Sequence, residues 1–329
     1  MRFGIIGCGN IAEHSFGPSL TTSAQTELVA VCRRDMAAAQ AFATRFGSPR
    51  AYSSAEDIVN DPEVEAVIVA TPTDTHHAFS CLAAKHGKHV LCEKPMARDA
   101  NECREMIDIC RVNDVTLGVA YRRRTSPQVI KAKELIAAGR IGQVVFARTH
   151  YSGRWDPKPG EWRIDPSIGG ALMEMASHRI EVLLNFGGIP TSVSAIVDTL
   201  DHTWSVDDTD ALIVRFEGGG VGMHSTILTS PPRHDFVQID GDAGRIRIDP
   251  LELTADHLFL DLPEGTERIP VEPLDGLLFD TPMIEDFVSA ALSGREPICN
   301  GGSGYWVQAV ADAARVSSDR GVIADVVPF

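Results

Sequence analysis

Apolar residues come in short runs over the first 120 positions, at 2–6, 26–32, 66–70, 89–92 and 116–120, each long enough for one strand. The stretches between them carry helix punctuation. One opens at Asp35 and stops at Gly47, and a second opens at Ser54 with Asp57 three residues on, as in a capping box. A third runs from near Thr75 to Gly87 and a fourth from about Asp99 to Val112. Strand and helix alternating at this spacing predict a parallel sheet with helices on both faces.

After residue 120 the rhythm changes. A helix is predicted from Ser126-Pro127 to Gly139, with proline in its first turn and glycine past its end. Positions 143–151 alternate as a strand, an irregular loop containing tryptophan and proline covers 152–168, and a helix follows from about Gly170 to Phe186. Strand-like runs at 191–199, 209–217, 221–228 and 235–248 are joined by glycine turns at 218–220 and 241–244, and helices near 280–293 and 303–318 close the chain. Strands with no helix between them form antiparallel sheet. The expectation is an α/β domain over 1–120 and an α+β domain over 121–329, the C-terminal helix being free to pack back on the first.

The length agrees: 329 residues, at about 150 per domain, suggest two domains. Hydrophobic residues are 44% and charged residues 23%, an ordinary globular mix that excludes a disordered or membrane-embedded chain. The longest nearly apolar stretch, 64–70, is strand-sized against the ~20 residues a membrane span requires. Met1 leads directly into a strand without a leader, so a cytoplasmic protein is expected. The net charge is −15, with 11 basic against 15 acidic residues up to position 120 and 19 against 30 beyond it. Such a field repels polyanions, and the run Arg122-Arg123-Arg124 is too short for a nucleic-acid footprint. Seven cysteines without C-x-x-C spacing, and 11 histidines without H-E-x-x-H, argue for reduced thiols and no metal.

The most specific local signal is Gly7-Cys8-Gly9-Asn10-Ile11-Ala12, a G-x-G-x-x-A between a strand and a helix. Its glycines allow a tight turn and close approach to a pyrophosphate at the helix N-terminus. At the end of the second strand an acid would bind the ribose 2′-hydroxyl of NAD, whereas arginine accommodates the 2′-phosphate of NADP. Here Arg33 and Arg34 precede the first acid, Asp35. Charge-assisted hydrogen bonds worth ~1.5–3 kcal/mol each give a preference of at least about tenfold. NADP is therefore the expected cofactor, with NAD second.

Further motifs follow in order: Thr71-Pro72-Thr73-Asp74-Thr75-His76, Cys92-Glu93-Lys94-Pro95-Met96-Ala97, Gly118-Val119-Ala120-Tyr121-Arg122-Arg123, and Gly169-Gly170 followed by Glu174 and His178. With the glycine loop, this series resembles the Gfo/Idh/MocA oxidoreductases over essentially the whole chain. The resemblance implies an α/β Rossmann domain plus an α+β domain with a large, mostly antiparallel sheet. It also implies a nicotinamide cofactor, a pyranose- or cyclitol-like substrate and a homo-oligomer, dimer or tetramer. Lys94 matches the family's E-K-P lysine, with a cis bond to Pro95, and His178 its acid–base histidine. Two positions depart from the pattern: Thr73 stands where asparagine is usual, and Glu174 where aspartate is common.

On a helix, Glu174 and His178 at i and i+4 share a face, so the carboxylate can orient the imidazole or pair with Lys94. Moving a hydroxyl proton near neutral pH suits histidine, whose ordinary pKa is ~6.5; lysine would have to fall about three units, ~4 kcal/mol. His178 is expected to exchange the proton while Lys94 polarises the oxygen as a cation. Thr71, Pro72, Thr73, His76, Glu93 and Lys94 join Gly7–Ala12, Arg33 and Arg34 as the expected cofactor contacts. Tyr121, Arg122, Trp162 and Arg163 join Lys94 and His178 as substrate contacts, with Trp155, His150 and Asp165 as weaker candidates. Two rival readings are an NAD-dependent glycosidase-like enzyme and a non-catalytic dinucleotide-sensing regulator on the same fold.

Overall fold

The computed structural model describes residues 1–158, 160–276 and 278–329. Pro159, within the predicted 152–168 loop, lies outside them. The chain divides into two compact units, Met1–Arg122 with Asp275–Tyr305, and Arg123–Leu274 with Trp306–Phe329.

The first unit is built on six parallel strands: β1 (Arg2–Ile6), β2 (Glu27–Cys32), β3 (Arg50–Tyr52), β4 (Ala66–Val69), β5 (His89–Cys92) and β6 (Leu117–Val119). Their order is β3-β2-β1-β4-β5-β6, so the winding reverses between β1 and β4, as in a Rossmann sheet. Ile6 is paired with Cys32 and Val69, Val69 with Cys92, and Cys92 with Val119, which sets the carboxyl ends of five strands in one row. Helices start where the sequence offers an oxygen. Asp35, Ser54 and Asp99 each accept from a backbone N–H of the following turn, worth about 1 kcal/mol apiece. All seven cysteines are free thiols buried in this unit.

Sequence order assigns 280–293 to the second domain, whereas the structure places it in the first unit. The reason is packing: the helix Thr281–Ser293 buries Met283, Ile284, Phe287 and Val288, and Phe287 meets Phe3 of β1 at 6.2 Å. An apolar helix face does not reveal from sequence alone which sheet it covers.

The second unit holds nine strands: β7 (Val144–Arg154), β8 (Pro190–Asp198), β9 (Thr209–Phe216), β10 (Val221–Ile227), β11 (Thr229–Gly241), β12 (Arg245–Ile248), β13 (His257–Leu262), β14 (Gly265–Pro270) and β15 (Ala324–Asp325). Their order is β14-β13-β12-β11-β7-β10-β9-β8-β15, and the pairing is antiparallel except between β7 and β10. Leu135 of the helix Pro127–Ala137 and Val182 of the helix Ser177–Gly187 pack with Ile239, Ile246 and Leu260 in one apolar core on the sheet's inner face. The predicted loop is shorter than expected, because β7 continues to Arg154. The β13–β14 hairpin adds strands that the sequence reading did not assign.

Candidate functional site

The aligned strand ends bring the first unit's motifs together, since each begins just beyond the row Ile6, Cys32, Val69, Cys92, Val119. Gly7 follows β1 with φ +101°, and an added Cβ would lie 2.5 Å from the Ala70 carbonyl oxygen. Both the backbone angle and the space therefore demand glycine. At Gly9 an added Cβ meets nothing within 4 Å, so that side of the loop is clear. The segment Ala12–Phe16 that follows is a π turn before the α-helix Gly17–Thr22, rather than a plain helix start. Beyond β2, Arg33 donates from Nη1 to the Cys8 carbonyl at 2.9 Å, and Arg33 and Arg34 are exposed. Asp35, the first acid, caps the next helix by accepting from the Ala38 N–H.

Beyond β4, the ring of His76 is buried between two carbonyls, Nε2 2.8 Å from Thr71 O and Nδ1 2.8 Å from Pro95 O. This histidine ties the threonine-rich loop to the E-K-P segment. Thr73 is buried, and its hydroxyl has no hydrogen-bond partner among the described residues. Beyond β5, the Glu93 carboxylate accepts the Lys94 N–H at 2.8 Å, and the Lys94–Pro95 bond is cis. Burial pushes the Glu93 carboxyl up to about 7 against the lowering effect of the Lys94 and Arg122 cations. Beyond β6, Tyr121 is buried, and Arg122 donates to Ser15 Oγ at 3.0 Å and pairs with Asp280 at 3.6 Å. The clear side of Gly9, the orphan Thr73 hydroxyl and the Arg33 guanidinium fit a nicotinamide dinucleotide whose diphosphate would rest on residues 7–12.

In the second unit, Trp162 and Arg163 lie in a short 3-10 turn, with the Arg163 guanidinium 4.7 Å from the Trp162 ring centroid. Arg163 Nε donates to Glu174 Oε2 at 3.2 Å. Glu174 is buried in a π turn, Leu172–Ala176, and His178 lies one residue into the α-helix that continues from Ser177. The simple i, i+4 geometry expected of Glu174 and His178 is therefore replaced by a π-to-α junction, a feature common at functional sites.

Residues 1–121 match a family model described as an oxidoreductase family with an NAD-binding Rossmann fold, and residues 129–247 match the GFO/IDH/MocA C-terminal domain. This chain belongs to the Gfo/Idh/MocA oxidoreductases. It is 35% identical to an uncharacterized oxidoreductase of Rhizobium meliloti over 279 residues, 81% of this chain and 80% of that one. It is 29% identical to D-xylose 1-dehydrogenase (NADP(+)) 2 of Haloferax volcanii, covering 99% of this chain and 100% of the relative. A levoglucosan dehydrogenase solved in complex with NADH and levoglucosan superposes with a TM-score of 0.91 at 26% identity, over 100% of both chains. The protein is thus an NAD(P)-dependent oxidoreductase.

One expectation changes within this Gfo/Idh/MocA member, and two weaker candidates are found in local contacts. His150 bonds Ser225 Oγ at 2.8 Å, whereas the next residue, Tyr151, carries the Arg179 guanidinium of the helix Ser177–Gly187 at 4.3 Å. Strand alternation therefore puts His150 on the sheet face opposite Glu174's helix, away from the candidate site. Asp165 is held in a local turn by the Ser167 N–H and hydroxyl. Trp155 packs edge-on against Trp204 at 5.5 Å, and His202 stacks on Trp204 at 3.7 Å. The sequence reading missed Ser15 and Asp280 beside Arg122, and Asp207 beside the Glu174 turn. The Asp207-Asp208 pair just before β9 was the visible signal for the last of these. Among the described residues no helix is long and apolar enough to cross a membrane, and no group of three His, Cys, Asp or Glu is placed to hold a metal ion.

Proposed function

We propose that this oxidoreductase prefers NADP(H) and oxidises or reduces a carbon–oxygen bond of a sugar, cyclitol or related polyhydroxy or cyclic carbonyl compound. The cofactor preference rests on one observation: Arg33, bonded to the glycine-loop carbonyl of Cys8, occupies the strand end where an acid would select NAD, while Asp35 is engaged as a helix cap. The substrate class is supported by the names of relatives, among them the D-xylose dehydrogenase and the 1,5-anhydro-D-fructose reductase of Ensifer adhaerens, 27% identical over 99% of this chain.

The cofactor, when bound, supplies the two-electron partner for the substrate carbon. Gly7, Cys8, Gly9, Asn10, Ile11 and Ala12 would hold its diphosphate, Arg33 and Arg34 its 2′-phosphate, and Thr71, Pro72, Thr73, Glu93 and Lys94 its nicotinamide half. Lys94 stabilises negative charge developing on the substrate oxygen. His178 takes the hydroxyl proton during oxidation and returns it during reduction. Arg163 holds Glu174 in the turn before His178, and Trp162 supplies substrate-facing surface, whereas Tyr121, expected as a substrate contact, is buried in the first unit.

Titrating the protein with NADPH and NADH by nicotinamide fluorescence should give at least about tenfold tighter NADPH binding. Equal or tighter NADH binding removes the NADP preference. Nicotinamide absorbance with D-xylose, levoglucosan and myo-inositol then tests the substrate class. In Lys94→Ala and His178→Ala, kcat should fall by about 100-fold or more. Turnover within a few-fold of wild type in either variant would end that residue's assigned role.

A further inference from the structure

The helical segment bearing Glu174 and His178 begins without a cap of its own: Ala171 flanks its first turn and offers no side-chain acceptor. The first amides of a helix need partners from outside it. Here they come from a residue 35 positions downstream of Leu172. The Asp207 carbonyl accepts the Ala171 N–H at 2.9 Å, and the Asp207 Oδ2 accepts the Leu172 N–H at 2.7 Å.

This approach depends on Gly170, which has φ +98° and whose ideal Cβ would sit 2.2 Å from Asp207 Oδ1. On the other side, the Gly170 N–H donates to the Arg163 carbonyl at 3.0 Å, and the Glu174 N–H to the Gly170 carbonyl at 2.9 Å. Arg163 also reaches Glu174 through its side chain. Burial pushes the Asp207 carboxyl up, and the Leu172 N–H and the Arg315 guanidinium draw it back, while neighbouring Asp208 opposes them. Because the segment passes from a π to an α turn between Glu174 and His178, their directions follow from where its first turn is fastened.

We propose that Asp207 is a positioning residue that fastens this first turn and so aims Glu174 and His178, an inference that rests on the reading of those two side chains as serving the reaction. The test uses the full chain, with Asp207→Ala, Asp207→Asn and Gly170→Ala. Hydrogen exchange of the peptide covering 168–180 is measured beside NADPH affinity and turnover of the best sugar among D-xylose, levoglucosan and myo-inositol. In Asp207→Ala, which keeps the carbonyl that holds the Ala171 N–H, exchange at 172 should rise about tenfold, the loss expected for one cap. Its kcat should fall about 30- to 100-fold with KM and NADPH affinity within about threefold of wild type, as expected for misaimed groups. Asp207→Asn keeps an acceptor oxygen and should restore both exchange and kcat to within about fivefold. Gly170→Ala leaves the carboxylate in the chain but takes its space, and should reproduce the Asp207→Ala result.

Unchanged exchange in Asp207→Ala, equal damage in the alanine and asparagine variants, or a loss confined to KM would each overturn the proposal. If the wild type turns over none of the three sugars, the substrate reading fails, while the exchange contrast between alanine and asparagine still decides whether Asp207 fastens the turn.

Discussion

Asp208 gathers five donors onto one buried carboxylate: the N–H groups of Leu200, Asp201 and His202, the hydroxyl of Thr209 and the His202 ring Nδ1, at 2.9 to 3.1 Å. Burial alone would raise such a group, but these bonds together hold it well below the usual carboxylate range. A depressed folded pKa contributes stability that is complete above the unfolded value near 4 and is lost as pH falls through the folded one. Asp208→Ala should therefore cost about 2–4 kcal/mol at pH 7 by urea denaturation. The difference from wild type should shrink as the pH is lowered below about 4. Arg33 is a second single-residue case. On the proposed NADP preference, Arg33→Ala should weaken NADPH about tenfold or more and leave NADH within about threefold, because the proposed 2′-phosphate contact alone would lose a charged partner.

At the scale of elements, the run Arg122-Arg123-Arg124 shows how one motif is divided. Arg122 pairs with Asp280 in the first unit, whereas Arg123 pairs with Asp235 and Arg124 with Glu181 in the second. Asp235 also receives the fully buried Arg179, whose Nε donates to it at 3.1 Å. Removing one member of a buried pair strands the other charge. Asp235→Ala should destabilise the fold by about 3–5 kcal/mol, read as a shift of the denaturation midpoint. The first unit was largely legible because five of its six parallel strands are short apolar runs and its helices carry their own caps at Asp35, Ser54 and Asp99, whereas β3, Arg50-Ala51-Tyr52, is only half-buried and offers no apolar run to read. β14 was not, since nearly every side chain on this edge strand is exposed and leaves no buried periodicity. The glycine loop and E-K-P segment could be read because each motif is contiguous. Asp280 could not, and Asp207 showed only as an Asp-Asp pair without a partner in view, because each acts on residues far away in sequence.

For the molecule as a whole, the acidic balance of −15 contrasts with an exposed apolar patch on the second unit's sheet. Ile196 of β8, Ile213 of β9 and Met223 of β10 are 67%, 54% and 37% exposed, and Ile213 and Met223 are register partners. They stand on the sheet face turned away from the helix Ser177–Gly187, where an uncovered patch favours association. A dimer or tetramer is therefore expected by analytical ultracentrifugation, and Ile213→Lys with Met223→Lys should shift it towards monomer. A stable wild-type monomer at micromolar concentration would count against that assembly.

Every sulfhydryl of the chain belongs to the Rossmann unit, and burial pushes Cys8 and Cys110 up to about 12 and Cys32 to about 11. An alkylating reagent at neutral pH consequently meets almost no reactive sulfur until that unit opens. Iodoacetamide uptake followed by mass spectrometry thus becomes a clock for the nucleotide-binding half, to which the sheet of nine strands contributes no signal. Run beside fluorescence from the tryptophans, all four of which lie in the other half, it would time the melting of each half separately.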